Sequence, residues 1–155
     1  MSNFILSHKG LLFWAVTLLM AVLVGLVYGL PQFLIWHKLN QLEMPYLVIQ
    51  LTHHSDEAYG HIGIAREIYD GRFPPGDLYF DENVPSLFGP FPLPYIIMAG
   101  FIHVASGNIN LAYNLAHFIV PPVLFLMFFF LGYILTRRKM WSLFCGLLGV
   151  LTPLV

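Results

Sequence analysis

GLLFWAVTLLMAVLVGLVYGLPQFLIW, residues Gly10–Trp36, is a run of 27 residues without one Asp, Glu, Lys or Arg. As a helix rising 1.5 Å per residue it reaches about 40 Å, enough to cross a roughly 30 Å hydrocarbon core with tilt. A water-soluble helix needs a charged face, and this run has none. Trp14 and Trp36 stand near its ends, where aromatic side chains settle at a membrane interface. Pro31 is placed to kink its last turn. A signal peptide has a core of roughly 7–15 apolar residues followed by a small-residue cleavage site. This run is longer and no such site follows at Leu34–Asn40, so a retained anchor is expected.

The rest of the 155-residue chain has the same character: 58% is hydrophobic and only 10% is charged. Soluble domains carry about 25% charged residues. A second uncharged run, Asn83–Thr136, is 54 residues long. The expected fold class is an all-α integral membrane protein with about three to four hydrophobic helices. A formal net charge of −1 provides no basic field for nucleic acid. The single cysteine, Cys145, excludes a disulfide framework and a cysteine metal site. No glycine-rich phosphate loop of the P-loop or dinucleotide type occurs.

Charge is sharply partitioned. All eight acids lie between Glu43 and Glu82, and residues 37–82 hold eight acids against three bases, a formal −5. The other bases are Lys9 and the cluster Arg137, Arg138 and Lys139. Basic residues prefer the cytoplasmic side of a membrane. Lys9 and the cluster are therefore expected inside, and the acidic first loop, residues 37–93, outside the cytoplasm.

Within that loop, residues 45–52 read as a short extended or interfacial piece. A helix is then expected over about 55–70. Ser55 can cap it, Asp56 and Glu57 favour its positive end, and Gly71 stops it. Ala58, Ile62, Ala65 and Tyr69 form an apolar stripe, widened by Ile64 and Ile68, with Arg66, Glu67 and Asp70 on the other side. Such a helix suits the surface of a membrane. Prolines 74, 75, 85, 90 and 92 make the following stretch a loop. Residues 94–136 form one or two membrane helices. Residues 94–106 either dip into the membrane or cross it, and charge favours dipping. Gly107-Asn108 turns the chain, and Pro121-Pro122 must kink or divide the long helix over 109–136. Residues 140–155 open a further span and stop inside it, which suggests a truncated piece of a longer polytopic protein.

Asp56 and Glu57 are the leading candidates for chemistry. A carboxylate just beyond a membrane span can meet both a lipid-borne substrate and an acceptor. Sugar transfer from a phospholipid carrier needs a base near the acceptor nucleophile and positive charge beside the departing phosphate. Asp56 suits the first role, with Glu57 orienting it. Arg66 and Arg72 are the only loop arginines, and guanidinium pairs well with phosphate. The plainer alternative is that the acids only favour a helix start and the arginines are solvated.

The stretch Ser55-Asp56-Glu57-Ala58-Tyr59-Gly60-His61, followed by Ala65-Arg66-Glu67-Ile68-Tyr69-Asp70-Gly71-Arg72-Phe73-Pro74, resembles the first extracytoplasmic loop of C-type (GT-C) glycosyltransferases. These are polytopic enzymes that use polyprenyl-phosphate-linked sugars, and they include protein O-mannosyltransferase-like and aminoarabinose transferase-like groups. Pro92-Leu93-Pro94-Tyr95, Tyr133-x-Leu135-x-Arg137-Arg138 and Leu151-Thr152-Pro153 look like later landmarks of the family. The resemblance implies a polyprenyl-phosphate sugar donor, puts Asp56 at the family's loop-one acidic position, and admits a divalent cation. It covers most of residues 10–155 but only the amino-terminal third of such an enzyme, so activity from this piece alone is not expected. The His-Pro-Pro-Leu sequence of the protein mannosyltransferases is replaced by Gly89-Pro90-Phe91-Pro92-Leu93-Pro94.

Other readings compete. His53, His54, Asp56 and His61 are poorly spaced for a metal site, because adjacent residues of a strand point to opposite faces. Asp81-Glu82 reads as a solvated loop pair. His103 and Asn108 suit a membrane edge, whereas Asn114 and His117 are placed to bond neighbouring helices. A transporter would set ionisable groups at mid-membrane, and no acid is there. A non-catalytic subunit whose acidic loop binds a partner protein is the alternative to an enzyme.

Overall fold

The computed structural model describes residues 8–44, 55–73 and 93–151. Regular structure among them is helical throughout: α1 (His8–Gln41), α2 (Ser55–Tyr69), α3 (Leu93–Val104), α4 (Ile109–Thr136) and α5 (Lys139–Leu151). Gly10–Gln41 of α1 and the whole of α4 are long and apolar enough to cross a membrane. At 12 residues α3 is about 18 Å long, shorter than a hydrocarbon core. The chain divides into two compact units, residues 1–31 with 117–155, and residues 32–116; α1 and α4 contribute to both. The segments expected at 45–52 and 74–92 lie outside the described residues.

In the first unit α1, α4 and α5 pack through aromatic and small residues. Phe125 and Phe129 of α4 are fully buried, and Phe125 shares a core with Ala21 and Val150. The Phe129 ring lies 5.9 Å from that of Phe13 and 5.8 Å from that of Trp14. Gly25 and Gly29 let α1 approach α4 closely: a Cβ at Gly25 would sit 2.7 Å from the Phe118 carbonyl oxygen, and one at Gly29 would strike the Phe118 ring at 2.5 Å. The Tyr28 hydroxyl donates to the Val150 carbonyl at 2.7 Å, serving one of the last α5 carbonyls, which have no amide of their own helix to accept from. Leu11, Leu12, Leu18 and Val22 of α1 and Met127, Leu131 and Leu135 of α4 are exposed, so the outer surface of the unit is apolar.

The structure removes one of the two alternatives at Pro121-Pro122 and moves one helix boundary. Pro121-Pro122 does not divide 109–136, which is one helix carrying both prolines inside it. Pro122 cannot donate to the Phe118 carbonyl four residues earlier, and that carbonyl faces the bare Gly25. The first helix also outruns its expected end at Trp36. Lys38 falls in the last turn, where the negative helix end favours a cation. Glu43, at φ 55°, stops it. The Met44 and Glu43 amides donate to the carbonyls of Leu39 and Asn40 at 3.0 and 3.3 Å, the paired bonds of a Schellman end.

In the second unit α2 packs on α3 and the start of α4. Ala65 and Ile102 are completely buried, together with Ala105 and Ala112, and Tyr69, Met98 and Phe101 close around them. The stripe expected to meet lipid is therefore met by protein at Ala65 and Tyr69. Gly71, at φ 86°, ends α2 with the Arg72 amide donating to Glu67 at 2.9 Å and the Gly71 amide to Ile68 at 3.1 Å. The α3–α4 turn uses Ser106 at φ 53° and Gly107 at φ 84°. Asn108 then caps α4, its Oδ1 accepting the Leu111 amide at 3.0 Å.

Replacing Gly25 by Leu should destabilise the purified protein in detergent by about 1–3 kcal/mol, the usual cost of overpacking. Gly100 has open space around it. Gly100→Leu should leave thermal unfolding, followed by circular dichroism, nearly unchanged.

Candidate functional site

The candidate site is built on α2. Asp56 and Glu57 occupy its first turn, as their spacing behind Ser55 predicts. Their side chains and that of His61 lie outside the described residues, as do His53, His54 and the pair Asp81-Glu82. The described chemistry of α2 is at its other end, where the two arginines have different surroundings.

Arg66 is held on three sides. Its Nε donates to Asp70 Oδ2 at 3.1 Å, one helical turn on. Its Nη1 donates to the Gly107 carbonyl at 3.2 Å, reaching the α3–α4 turn. Its guanidinium carbon lies 4.9 Å from the centre of the Tyr69 ring, within cation–π range. Tyr69 serves the same junction. Its ring is 6.2 Å from that of His103, and its hydroxyl would lie 3.3 Å from a Cβ at Gly107. Arg66 therefore fastens α2 to the turn between α3 and α4.

Arg72, just past the Gly71 stop, is 70% exposed and stands 3.7 Å from Glu67 Oε1. A surface pair at that separation is weak and leaves most of the guanidinium to other partners. Of the two loop arginines, Arg72 is the one open to an incoming anion. The sequence groups them as the only arginines of the loop; the Gly107 carbonyl separates them. The only signal for that acceptor in the sequence is the Gly107-Asn108 turn, whose backbone carbonyl no residue pattern pairs with an arginine 41 positions earlier.

Of the polar groups in apolar stretches, His103 is exposed at the end of α3, His117 is half-buried and Asn114 is buried. Phe129 is buried, whereas Phe128 and Phe130 are exposed. Among the described residues no three His, Cys, Asp or Glu side chains come together as a metal site would require. No family model matches this chain, and no curated protein or solved structure does so.

Arg66→Ala should loosen α2 by about 1–2 kcal/mol, because it removes a charged hydrogen bond to a partly buried carbonyl. Asp70→Asn should cost less than about 0.5 kcal/mol, since it breaks only an exposed pair. Hydrogen exchange of the amides of residues 62–69 distinguishes the two. Equal protection in both variants would show that the Gly107 contact carries nothing.

Proposed function

We propose that this chain belongs to a GT-C-like, multi-pass membrane glycosyltransferase with its first loop outside the cytoplasm. The reaction is transfer of a sugar from a polyprenyl-phosphate donor to an acceptor hydroxyl. One observation carries the reading: the Asp56-Glu57 pair opens a helix that follows a span-length apolar helix and is anchored through Ala65 on α3 and through Arg66 on the α3–α4 turn. A carboxylate on an anchored helix keeps its position when substrates arrive, and positioning is what general-base catalysis needs.

The chemistry assigns each residue a task. Asp56 accepts the acceptor hydroxyl proton as the oxygen attacks the anomeric carbon, and the bond from that carbon to the carrier phosphate breaks. Glu57 orients the base. Arg72 meets the departing phosphate, whose negative charge grows as the bond opens. Arg66, its guanidinium engaged by Asp70 and Gly107, acts chiefly by holding α2, with any phosphate contact secondary. A divalent cation at the phosphate is compatible with this scheme, and its ligands would have to extend beyond the described residues.

The test is label transfer by membranes containing the full gene product, supplied with polyprenyl-phosphate-linked mannose or aminoarabinose. Asp56→Asn should lower transfer at least about 100-fold, the usual worth of a general base, with membrane insertion unchanged. Arg72→Gln should impair transfer less severely. Near-normal transfer by Asp56→Asn removes Asp56 from the reaction. Absence of transfer by the wild type with either donor, together with stable capture of a partner by the acidic loop, favours a non-catalytic subunit.

A further inference from the structure

The first unit contains no Asp or Glu at all, because every acid of the chain lies between Glu43 and Glu82. It nevertheless concentrates Arg137, Arg138 and Lys139 at the α4–α5 junction. Lys139 is drawn inward, its ammonium 4.8 Å from the centre of the Phe13 ring. Arg137 and Arg138 are exposed. Their backbone is fixed, so the arginines stand on a set turn. Arg137 has φ 55° with its amide bonded to the Tyr133 carbonyl at 2.9 Å, and the Arg138 carbonyl accepts from the Ser142 hydroxyl at 2.8 Å.

An apolar groove of about 340 Å³ lies between the same two helices. Phe128, Leu131, Leu135 and Leu148 line it, with Gly132 and Gly149 among them. Leu135 is two residues before Arg137, so the groove begins beside the cationic turn. From Leu135 to Phe128 it follows α4 for about 10 Å at the helical rise. Two exposed arginines on a set turn, in a unit without Asp or Glu and beside an apolar groove, match a molecule with an anionic head and an aliphatic tail.

We propose that the α4–α5 hairpin binds one anionic phospholipid, its phosphate on Arg137 and Arg138 and one acyl chain along the Leu131–Leu135 side of the groove. The proposal rests on the chain lying in a bilayer and is independent of the glycosyltransferase reading. Basic clusters at helix ends commonly recruit anionic headgroups in this way.

The full gene product, extracted from bilayers of equal phosphatidylglycerol and phosphatidylcholine, is examined by native mass spectrometry for retained lipid. Phosphatidylglycerol should be retained over phosphatidylcholine by on the order of tenfold. Arg137→Gln/Arg138→Gln should abolish that preference, and Lys38→Gln, an exposed cation at the end of α1, should keep it. Leu135→Trp, which fills the groove while leaving both arginines, should reduce lipid retention severalfold. The proposal is overturned if the wild type shows no preference, if the double variant keeps it, or if Lys38→Gln removes it equally. Undiminished retention by a monodisperse Leu135→Trp protein also overturns the acyl-chain assignment.

Discussion

The contact on which the first unit turns is between a carbonyl and an absent side chain. Pro122 lacks the amide that would serve the Phe118 carbonyl in an unbroken helix. Within a bilayer a helix proline is tolerated where neighbouring groups come close to the backbone around it. Gly25 allows that close approach, since any larger residue would put a Cβ 2.7 Å from the Phe118 oxygen. Gly29, one turn on, makes the same room for the Phe118 ring. The prolines and glycines thus form one arrangement. It keeps α4 a single helix of 28 residues, long enough to cross.

The second unit obeys a different constraint. Its helices are short, and α2 has a mixed surface, so α2 needs a tertiary anchor to stay in place. Ala65 supplies the close approach to Ile102 and Ala105, and Arg66 supplies direction. A hydrogen bond to a particular backbone oxygen fixes the rotation of α2 about its own axis, which apolar packing alone leaves loose. That rotation determines where the first turn of α2, with Asp56 and Glu57, presents its backbone. The stability of the α3–α4 turn and the placement of the acidic pair are therefore coupled through one guanidinium.

Elements bounded by local chemistry were legible in the residues. Gly71 ends α2 and the Gly107-Asn108 turn precedes α4, because left-handed stops and turns are decided by a few neighbouring atoms. Contacts that join distant segments were not. Gly25-x-x-x-Gly29 is a small-residue motif of the kind that seats one membrane helix on another, yet its partner, Phe118, is 89 positions from Gly29 and bears no complementary signature. The polar pair His37 and Lys38 after Trp36 looks like the end of a span, so the sequence alone puts the end of α1 too early. A helix can leave the hydrocarbon and continue, and only the left-handed Glu43 stops this one. At the candidate site, the acidic pair was visible as residues on a helix, while the distinction between the two arginines was not.

That distinction shows why counting cations near a site is a poor guide to anion binding. Arg66 and Arg72 are identical groups six residues apart, and a long-range field would treat them almost alike. What separates them is competition from within the protein. Arg66 is surrounded by a carboxylate, a carbonyl and an aromatic face, so a phosphate would have to displace those partners before gaining anything. Among the described residues Arg72 has one distant carboxylate and is mostly in solvent, so its contact to a phosphate trades little. The same reasoning applies at the opposite extreme to Arg137 and Arg138, whose unit contains no carboxylate to compete for them. In a protein with so few charges, where each cation binds is determined less by its own charge than by which acceptors the fold has already brought within reach.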